Sequence, residues 1–416
     1  MAVADDLTVA VGLRGGSRDN VSGMYLRRVL TLVATCAIAT TACGTGDAAA
    51  PAPTTTGAAT ASPSAPSAVV STSEMPAVTP DACATAIDAM TLRQRLAQLL
   101  TVGVTGTEDA VAVVGAEQVG GVFVGSWTDK TMLTGGGVDR MQSAATVPVM
   151  VTIDEEGGRV SRAADLLGSV PSARETAATM TPEQTYEMWL ERGRGLKDLG
   201  ITVDFAPDVD VSSQPDDSVI GDRSYSDDPA TVVAYAGAAA RGLRDAGVMP
   251  VIKHFPGHGS GSGDSHTGAV TTPPLSELQA RDLVPFRDLV STGVGAMVGH
   301  LDVPGLTTEG VPASISPAAM ALLRDGTGYG AAPFTGPIFT DDLSGMAAIT
   351  SRLGIEDAAL AALVAGADVA LWITTDAVPS VLDRLEAAVA SGELSDARVD
   401  DAARTVLTAK GALGCA

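Results

Sequence analysis

The chain has 416 residues, enough for a sizeable core, and carries 49 acidic against 26 basic side chains for a formal net charge of −23. A surface that acidic repels phosphate backbones, which argues against general nucleic-acid binding. The four cysteines include no CxxC pair, so neither a zinc ribbon nor a dense disulfide framework is expected.

Residues 1–23 carry Asp5, Asp6, Arg14, Arg18 and Asp19, which do not suit the start of an export signal. Met24-Tyr25-Leu26-Arg27-Arg28 suits one well, so Met24 is the expected start. The uncharged run from Val29 to Ala42 that follows is too short for a permanent bilayer span of about 20 residues and has the length of a signal-peptide core. It ends Thr40-Thr41-Ala42-Cys43-Gly44, which resembles a bacterial lipobox, with Thr40 where Leu is usual. The expectation is an exported protein held on the outer face of the membrane by a lipid on Cys43. A soluble secreted protein cut nearby is the alternative. Residues 44–82 are mostly Ala, Thr, Pro and Ser, too poor in large apolar groups to offset ordering entropy, and read as a disordered tether.

From Cys83 to the end the pattern changes to a single α/β domain. Eight Val/Ile/Gly-rich runs alternate with Ala/Leu/Arg-rich segments: Leu99–Val104, Val119–Val124, Val147–Ile153, Ile201–Phe205, Met249–Lys253, Gly295–Gly299, Pro337–Thr340 and Val369–Ile373. Near-continuous apolar runs suit parallel strands buried on both faces. Thr181-Pro182-Glu183-Gln184, Asp228-Pro229 and Ser316-Pro317 mark helix starts, and Gly247 marks a stop. Eight strand–helix units predict a (β/α)8 barrel, with a doubly wound open sheet as the alternative.

The polar residues gather just after these strands. Asp154-Glu155-Glu156 follows the third, Asp208 and Asp210 the fourth, Lys253-His254 the fifth, His300 and Asp302 the sixth, and Asp341-Asp342 the seventh. In a barrel they converge on the C-terminal face, where barrel active sites are built. Lys253-His254-Phe255-Pro256-Gly257-His258-Gly259 leads into a glycine-rich loop ending Asp264-Ser265-His266-Thr267-Gly268. No GK[ST] follows, so it is not a phosphate-binding P-loop. A carboxylate two positions from a histidine can orient the imidazole for proton transfer. Asp341 and Asp342 are adjacent at a strand end, so one can enter the barrel mouth while the other supports it. Asp154, Arg223, Lys253 and His254 supply the carboxylate, cations and imidazole that sugar hydroxyls need.

These motifs, with Met90-Thr91-Leu92, Asp204-Phe205-Ala206-Pro207 and Gly221-Asp222-Arg223-Ser224, resemble the family 3 glycoside hydrolases, in the single-domain branch of bacterial β-N-acetylglucosaminidases. The resemblance covers nearly all of 85–415 in order. It implies a retaining barrel hydrolase without cofactor or metal, acting on terminal N-acetylglucosamine of amino-sugar oligosaccharides or muropeptides. It implies that Asp341 is the nucleophile, that Asp264 and His266 form the acid/base dyad, and that Asp154, Arg223, Lys253 and His254 bind the terminal sugar. Two positions depart from the family pattern: Glu155 stands where Gln is common, which alters the charge of that turn, and Asp208 occupies a position that is often apolar.

Three other readings stay open. A histidine proton donor repels phosphate less than a carboxylate does, so phosphorolysis is conceivable. His254, His258, His266 and Asp264 are spaced so that a metal hydrolase is allowed, although no HExxH helix occurs. A sugar-binding lipoprotein without turnover is the third. A monomer is expected. Cys83 and Cys415 flank the domain, and a closed barrel brings its ends together, so a disulfide between them is expected in an oxidising exported location.

Overall fold

The computed structural model describes residues 87–412. Eight short parallel strands form one sheet: β1 (Leu100–Gly103), β2 (Gly121–Val124), β3 (Met150–Ile153), β4 (Val203–Asp204), β5 (Met249–Phe255), β6 (Gly295–Val298), β7 (Ile338–Thr340) and β8 (Ala370–Trp372). Each lies in one of the eight apolar runs. Strands β1 to β7 pair in sequence order, β1 also pairs with β8, and a parallel bridge between Phe339 and Val369 joins β7 to β8. The Thr340 amide donates to the Val369 carbonyl at 3.0 Å across that seam. The sheet therefore closes on itself, which overturns the open-sheet alternative. A closed ring leaves no edge strand, so every strand is covered on both faces, as the continuous apolar runs require.

The helices start where local chemistry says they should. Thr181 opens the helix Pro182–Asp198 with a reciprocal capping box to Gln184, and Asp228 caps Pro229–Asp245 by accepting from the amides of Ala230 and Thr231. Gly247 follows that second helix at φ +83°, a conformation that favours glycine. Ser316 sits at the start of Pro317–Asp325 but makes no side-chain cap hydrogen bond, so proline at N1 is the signal that held there.

Inside the barrel, Phe123, Phe205 and Phe339 form a chain of ring contacts with centroids 5.8 and 5.4 Å apart. Phe123 and Phe205 form part of the floor of the cavity at the C-terminal face. Strand β5 runs two residues past its expected end and so includes His254. The signal segment, Cys43, the 44–82 tether and the Cys83–Cys415 pair lie outside the described residues.

Candidate active site

A cavity of about 330 Å3 opens at the C-terminal ends of the strands. Asp154, Arg223, Lys253, His254, His266 and Asp341 all line it. Asp264 joins them through its hydrogen bond to His266. Seven residues singled out from five separate segments are thus brought together.

The centre of the cluster is a residue the sequence reading passed over. Glu156 is buried and accepts from Arg223 Nε at 2.7 Å and Nη2 at 2.8 Å, while Lys253 Nζ lies 2.6 Å from its Oε1. Lys253 also donates to Asp154 Oδ1 at 2.7 Å. Burial pushes Glu156 upward, but Arg223 and Lys253 outweigh it and hold the carboxyl well below the usual range. Burial likewise opposes the charge on Lys253, and Asp154 and Glu156 more than restore it. The result is a fixed lattice of alternating charge on one wall of the cavity.

Why the chain turns there is visible in the sequence. Residues Glu155–Gly157 pair with Val160–Ser161 in a small antiparallel hairpin. Gly157 and Gly158 take φ +86° and +55°, and a Cβ on either would come within 2.6 Å of Pro171 or Ser172. Arg159, next in the turn, donates to the carbonyls of Asp216, Val219 and Ile220 and so shapes the loop that presents Arg223.

Glu155 faces the opposite way from Asp154 and Glu156. It is fully buried, salt-bridged to Arg192 at 2.5 Å, and accepts from the Ala163 amide at 2.7 Å and from the Ser161 hydroxyl. The Glu155 charge is paired with Arg192 behind the site, and Glu155 does not line the cavity.

His254 is oriented from behind by Asp210, whose Oδ2 lies 2.7 Å from Nδ1. Its Nε2 lies 3.3 Å from Arg223 Nη2. Asp210 also accepts from the His258 amide at 2.5 Å. Burial opposes its ionisation, but His254 and His258 hold Asp210 down at about 2. Asp208 lies beside it, buried, its Oδ1 accepting from the Asp210 amide at 2.8 Å, while Oδ2 lies 3.7 Å from Arg223 and 3.8 Å from His254 Nδ1 with no hydrogen-bond partner. Burial, then the neighbouring Asp210 charge, pushes Asp208 well above the usual carboxylate range.

Asp208, Asp210 and His254 could together hold a cation, since their ligand atoms lie within 4.8 Å of one another. The Arg223 guanidinium already fills that role beside Asp208, and Nδ1 of His254 is taken by Asp210. The metal-hydrolase set His254, His258, His266 and Asp264 does not converge: among the described residues, Asp208, Asp210 and His254 form the only cluster of three or more ligating side chains. His266 is instead committed to Asp264.

At the end of β7, the half-buried Asp341 lines the cavity and Asp342 follows it. Asp342 caps its own turn, with Oδ1 accepting from the Ser344 amide at 2.8 Å and Oδ2 from the Gly345 amide at 2.9 Å. It is therefore the supporting member of the pair. Burial raises Asp341, but His254, His300 and the Asp342 amide more than offset it, so its carboxyl titrates below its ordinary value. An ionised, desolvated carboxylate with few direct hydrogen bonds is a competent nucleophile. His300 spans Ser314 Oγ at 2.6 Å and the Asp342 carbonyl at 2.7 Å, so this histidine is a buried brace for the loop.

The loop after β5 carries the dyad. Asp264 Oδ1 accepts from the His266 amide at 3.0 Å and lies 2.7 Å from His266 Nδ1. That leaves Nε2 for proton exchange. The His266 side chain is 60% exposed. Ser265 ties the loop tip to the segment after β7, its carbonyl accepting from the Ala348 amide at 3.2 Å and its hydroxyl meeting Met346 S at 3.5 Å. The donor and the candidate nucleophile are thereby held on adjoining walls of one cavity.

The model described as "Glycosyl hydrolase family 3 N terminal domain" matches residues 91–409. The chain belongs to glycosyl hydrolase family 3. It is 54% identical over 393 residues to a protein named Beta-hexosaminidase LpqI from Mycobacterium tuberculosis, covering 93% of this chain and 98% of that one. A solved structure of M. tuberculosis LpqI superposes with a TM-score of 0.78 at 57% identity, over 79% of this chain and 96% of that one. A family 3 β-N-acetylglucosaminidase from Paenibacillus sp. gives a TM-score of 0.73 at 33% identity, over 79% of this chain and 63% of that one. As a family 3 hydrolase with this cavity, the chain acts on a glycosidic bond rather than serving as a binding lipoprotein.

Proposed function

We propose that the chain is a retaining β-hexosaminidase that removes terminal N-acetylglucosamine from peptidoglycan-type fragments. The observation that carries this reading is one cavity lined by the half-buried Asp341, whose carboxyl titrates below its ordinary value, by the Asp264–His266 pair and by the charged wall of Asp154, Arg223, Lys253 and His254. The names of the relatives, β-hexosaminidase and β-N-acetylglucosaminidase, point the same way.

The charged wall binds the hydroxyls of the terminal ring and fixes C1 above Asp341. His266 gives its Nε2 proton to the departing oxygen as Asp341 attacks C1 and forms a glycosyl-enzyme ester. Asp264 stabilises the imidazolium before transfer and keeps Nε2 aimed outward afterwards. Neutral His266 then takes a proton from water, which attacks C1 and releases the sugar with retained configuration.

A panel of chromogenic glycosides with Asp341→Ala as control tests the reading. Release from N-acetyl-β-glucosaminides alone, abolished in Asp341→Ala, is expected. Equal release from glucosides, or activity that survives the substitution, would contradict it. A parallel assay in phosphate buffer separates the products: free sugar supports hydrolysis and sugar 1-phosphate would replace it by phosphorolysis. We further propose a lipid anchor on Cys43. Cys43→Ala should move the protein from the membrane fraction to the medium, and an unchanged cytoplasmic location would refute export.

A further inference from the structure

Of the three tryptophans, Trp189 and Trp372 are buried in the core, whereas Trp127 is 44% exposed. Trp127 follows β2 at the rim of the cavity. It does not hang free. One edge meets Phe123 at a centroid distance of 5.9 Å and 60° between planes. The indole also lies across Gly125, where a Cβ would come within 2.4 Å of Cη2. Glycine there lets the ring sit against the backbone, which fixes its orientation and leaves its exposed surface ready for a ligand.

Trp127 and Ile373 line two cavities at once. One holds Asp341. The other, about 450 Å3, lies between the ends of β8, β1 and β2 and includes Thr105, Asp109, Thr375 and Asp376. Asp109 ties its walls together, accepting from Thr105 Oγ at 3.0 Å and from Thr375 Oγ at 2.8 Å. The residues assigned to the terminal sugar come from the β3, β4 and β5 sector. The second cavity lies in the β8, β1 and β2 sector and shares Trp127 and Ile373 with the first.

We propose that Trp127 is the platform for the ring on the leaving side of the scissile bond, and that the groove beyond it takes the rest of an amino-sugar oligomer. This rests on the β-hexosaminidase reading. A β-linked pyranose presents a flat face of axial C–H groups, which an indole face attracts through its negative quadrupole, and turns its hydroxyls outward to a polar rim. The rim carries the carboxylates of Asp109 and Asp376. A leaving ring with a free carboxylate meets like charge there. The groove therefore selects an uncharged N-acetylhexosamine, or a muramic residue whose lactyl group is blocked as an amide.

The test compares the unaltered enzyme with Trp127→Ala and Trp127→Phe on three substrates: N-acetylglucosaminyl fluoride, di-N-acetylchitobiose, and the N-acetylglucosaminyl-muramic disaccharide with its carboxylate free. The fluoride has no leaving ring and reads the terminal-sugar site alone. Trp127→Ala should raise KM for chitobiose about ten-fold or more with little change in kcat, lose less than two-fold on the fluoride, and be partly restored in Trp127→Phe. The unaltered enzyme should prefer chitobiose to the free-acid disaccharide. Equal losses on fluoride and chitobiose would mean that Trp127 only supports the fold of the site, and no loss on chitobiose would mean that the ring binds elsewhere; either overturns the proposal. Preference for the free acid would overturn the selectivity. An unaltered enzyme inactive on all three would instead bring down the activity reading beneath it.

Discussion

Glu156 and Arg223 meet through two parallel hydrogen bonds, Nε to Oε2 at 2.7 Å and Nη2 to Oε1 at 2.8 Å, with the carboxylate buried and the guanidinium largely so. Breaking such a pair leaves an uncompensated buried charge, at a cost of roughly 3–5 kcal/mol. Glu156→Gln should therefore lower thermal stability and raise KM more than it lowers kcat, since Arg223 and Lys253 lose the anion that aims them. The folded-state pKa of Glu156 is depressed, so its contribution to stability is present above the unfolded value and lost as pH falls below it. Acid unfolding of Glu156→Gln, followed by circular dichroism, should be less steep than that of the parent. An identical profile would mean the pair contributes nothing net.

Asp208 carries the opposite sign. Its folded pKa is raised by burial and by Asp210, so the folded state holds a proton that the unfolded state releases. Stability from this group falls as pH rises from the unfolded value near 3.8 towards the folded one. Asp208→Asn removes that loss and should raise the midpoint of urea unfolding at neutral pH while flattening its pH dependence. A lower midpoint at neutral pH would show that Asp208 is ionised and needed by Arg223.

Glu155 and Arg192 form a buried pair behind the cavity, away from the sugar wall. Arg192→Met should destabilise by about 3–5 kcal/mol, read as a drop in Tm, because Glu155 is left without its counter-charge. Glu155→Gln should cost less and leave KM within two-fold of the parent. A large KM change in Glu155→Gln would place its charge in the sugar site after all.

His266 lies 2.7 Å from Asp264, and in the proposed reaction it carries the proton for the leaving group. His266→Ala should lose on the order of 10²–10⁴-fold on chitobiose. It should lose far less on a dinitrophenyl glycoside, whose leaving group needs no proton. Equal losses on both would show that His266 binds or packs rather than donates.

The barrel was legible because parallel strands buried on both faces must be continuously apolar, and all eight runs became strands. Closure into a ring followed from the count of eight strand–helix units; a single run such as Val369–Ile373 reads alike in an open or a closed sheet, and so the open sheet stood as the alternative. Asp341, Asp154, Lys253 and His254 stood out in the sequence because charged residues gather at strand ends, Arg223, Asp264 and His266 stood out on loops, and the structure brings all seven around one cavity. Glu156 was missed because three consecutive acids, Asp154-Glu155-Glu156, do not announce which one turns inward. The two-residue alternation of an extended chain was the available signal: 154 and 156 share a side and 155 faces away. Asp210 was noted only as following a strand, since nothing local reveals that it sits behind His254, forty-four positions later. Trp127 was silent for a similar reason. Its exposure depends on Gly125 and on a neighbouring cavity built from β8 and β1, which only the closed barrel brings together.

The central claim is that Asp341 forms a covalent bond to the sugar, and the most direct measurement is to trap that bond. Incubation with a 5-fluoro N-acetylglucosaminyl fluoride, which slows hydrolysis of the intermediate more than its formation, should inactivate the enzyme with time. Peptide mass mapping should then find one fluorinated N-acetylhexosaminyl group on the peptide that contains Asp341, and none in Asp341→Asn. An adduct on Asp342 or any other residue, or undiminished turnover of ordinary substrate by Asp341→Asn, would contradict the assignment.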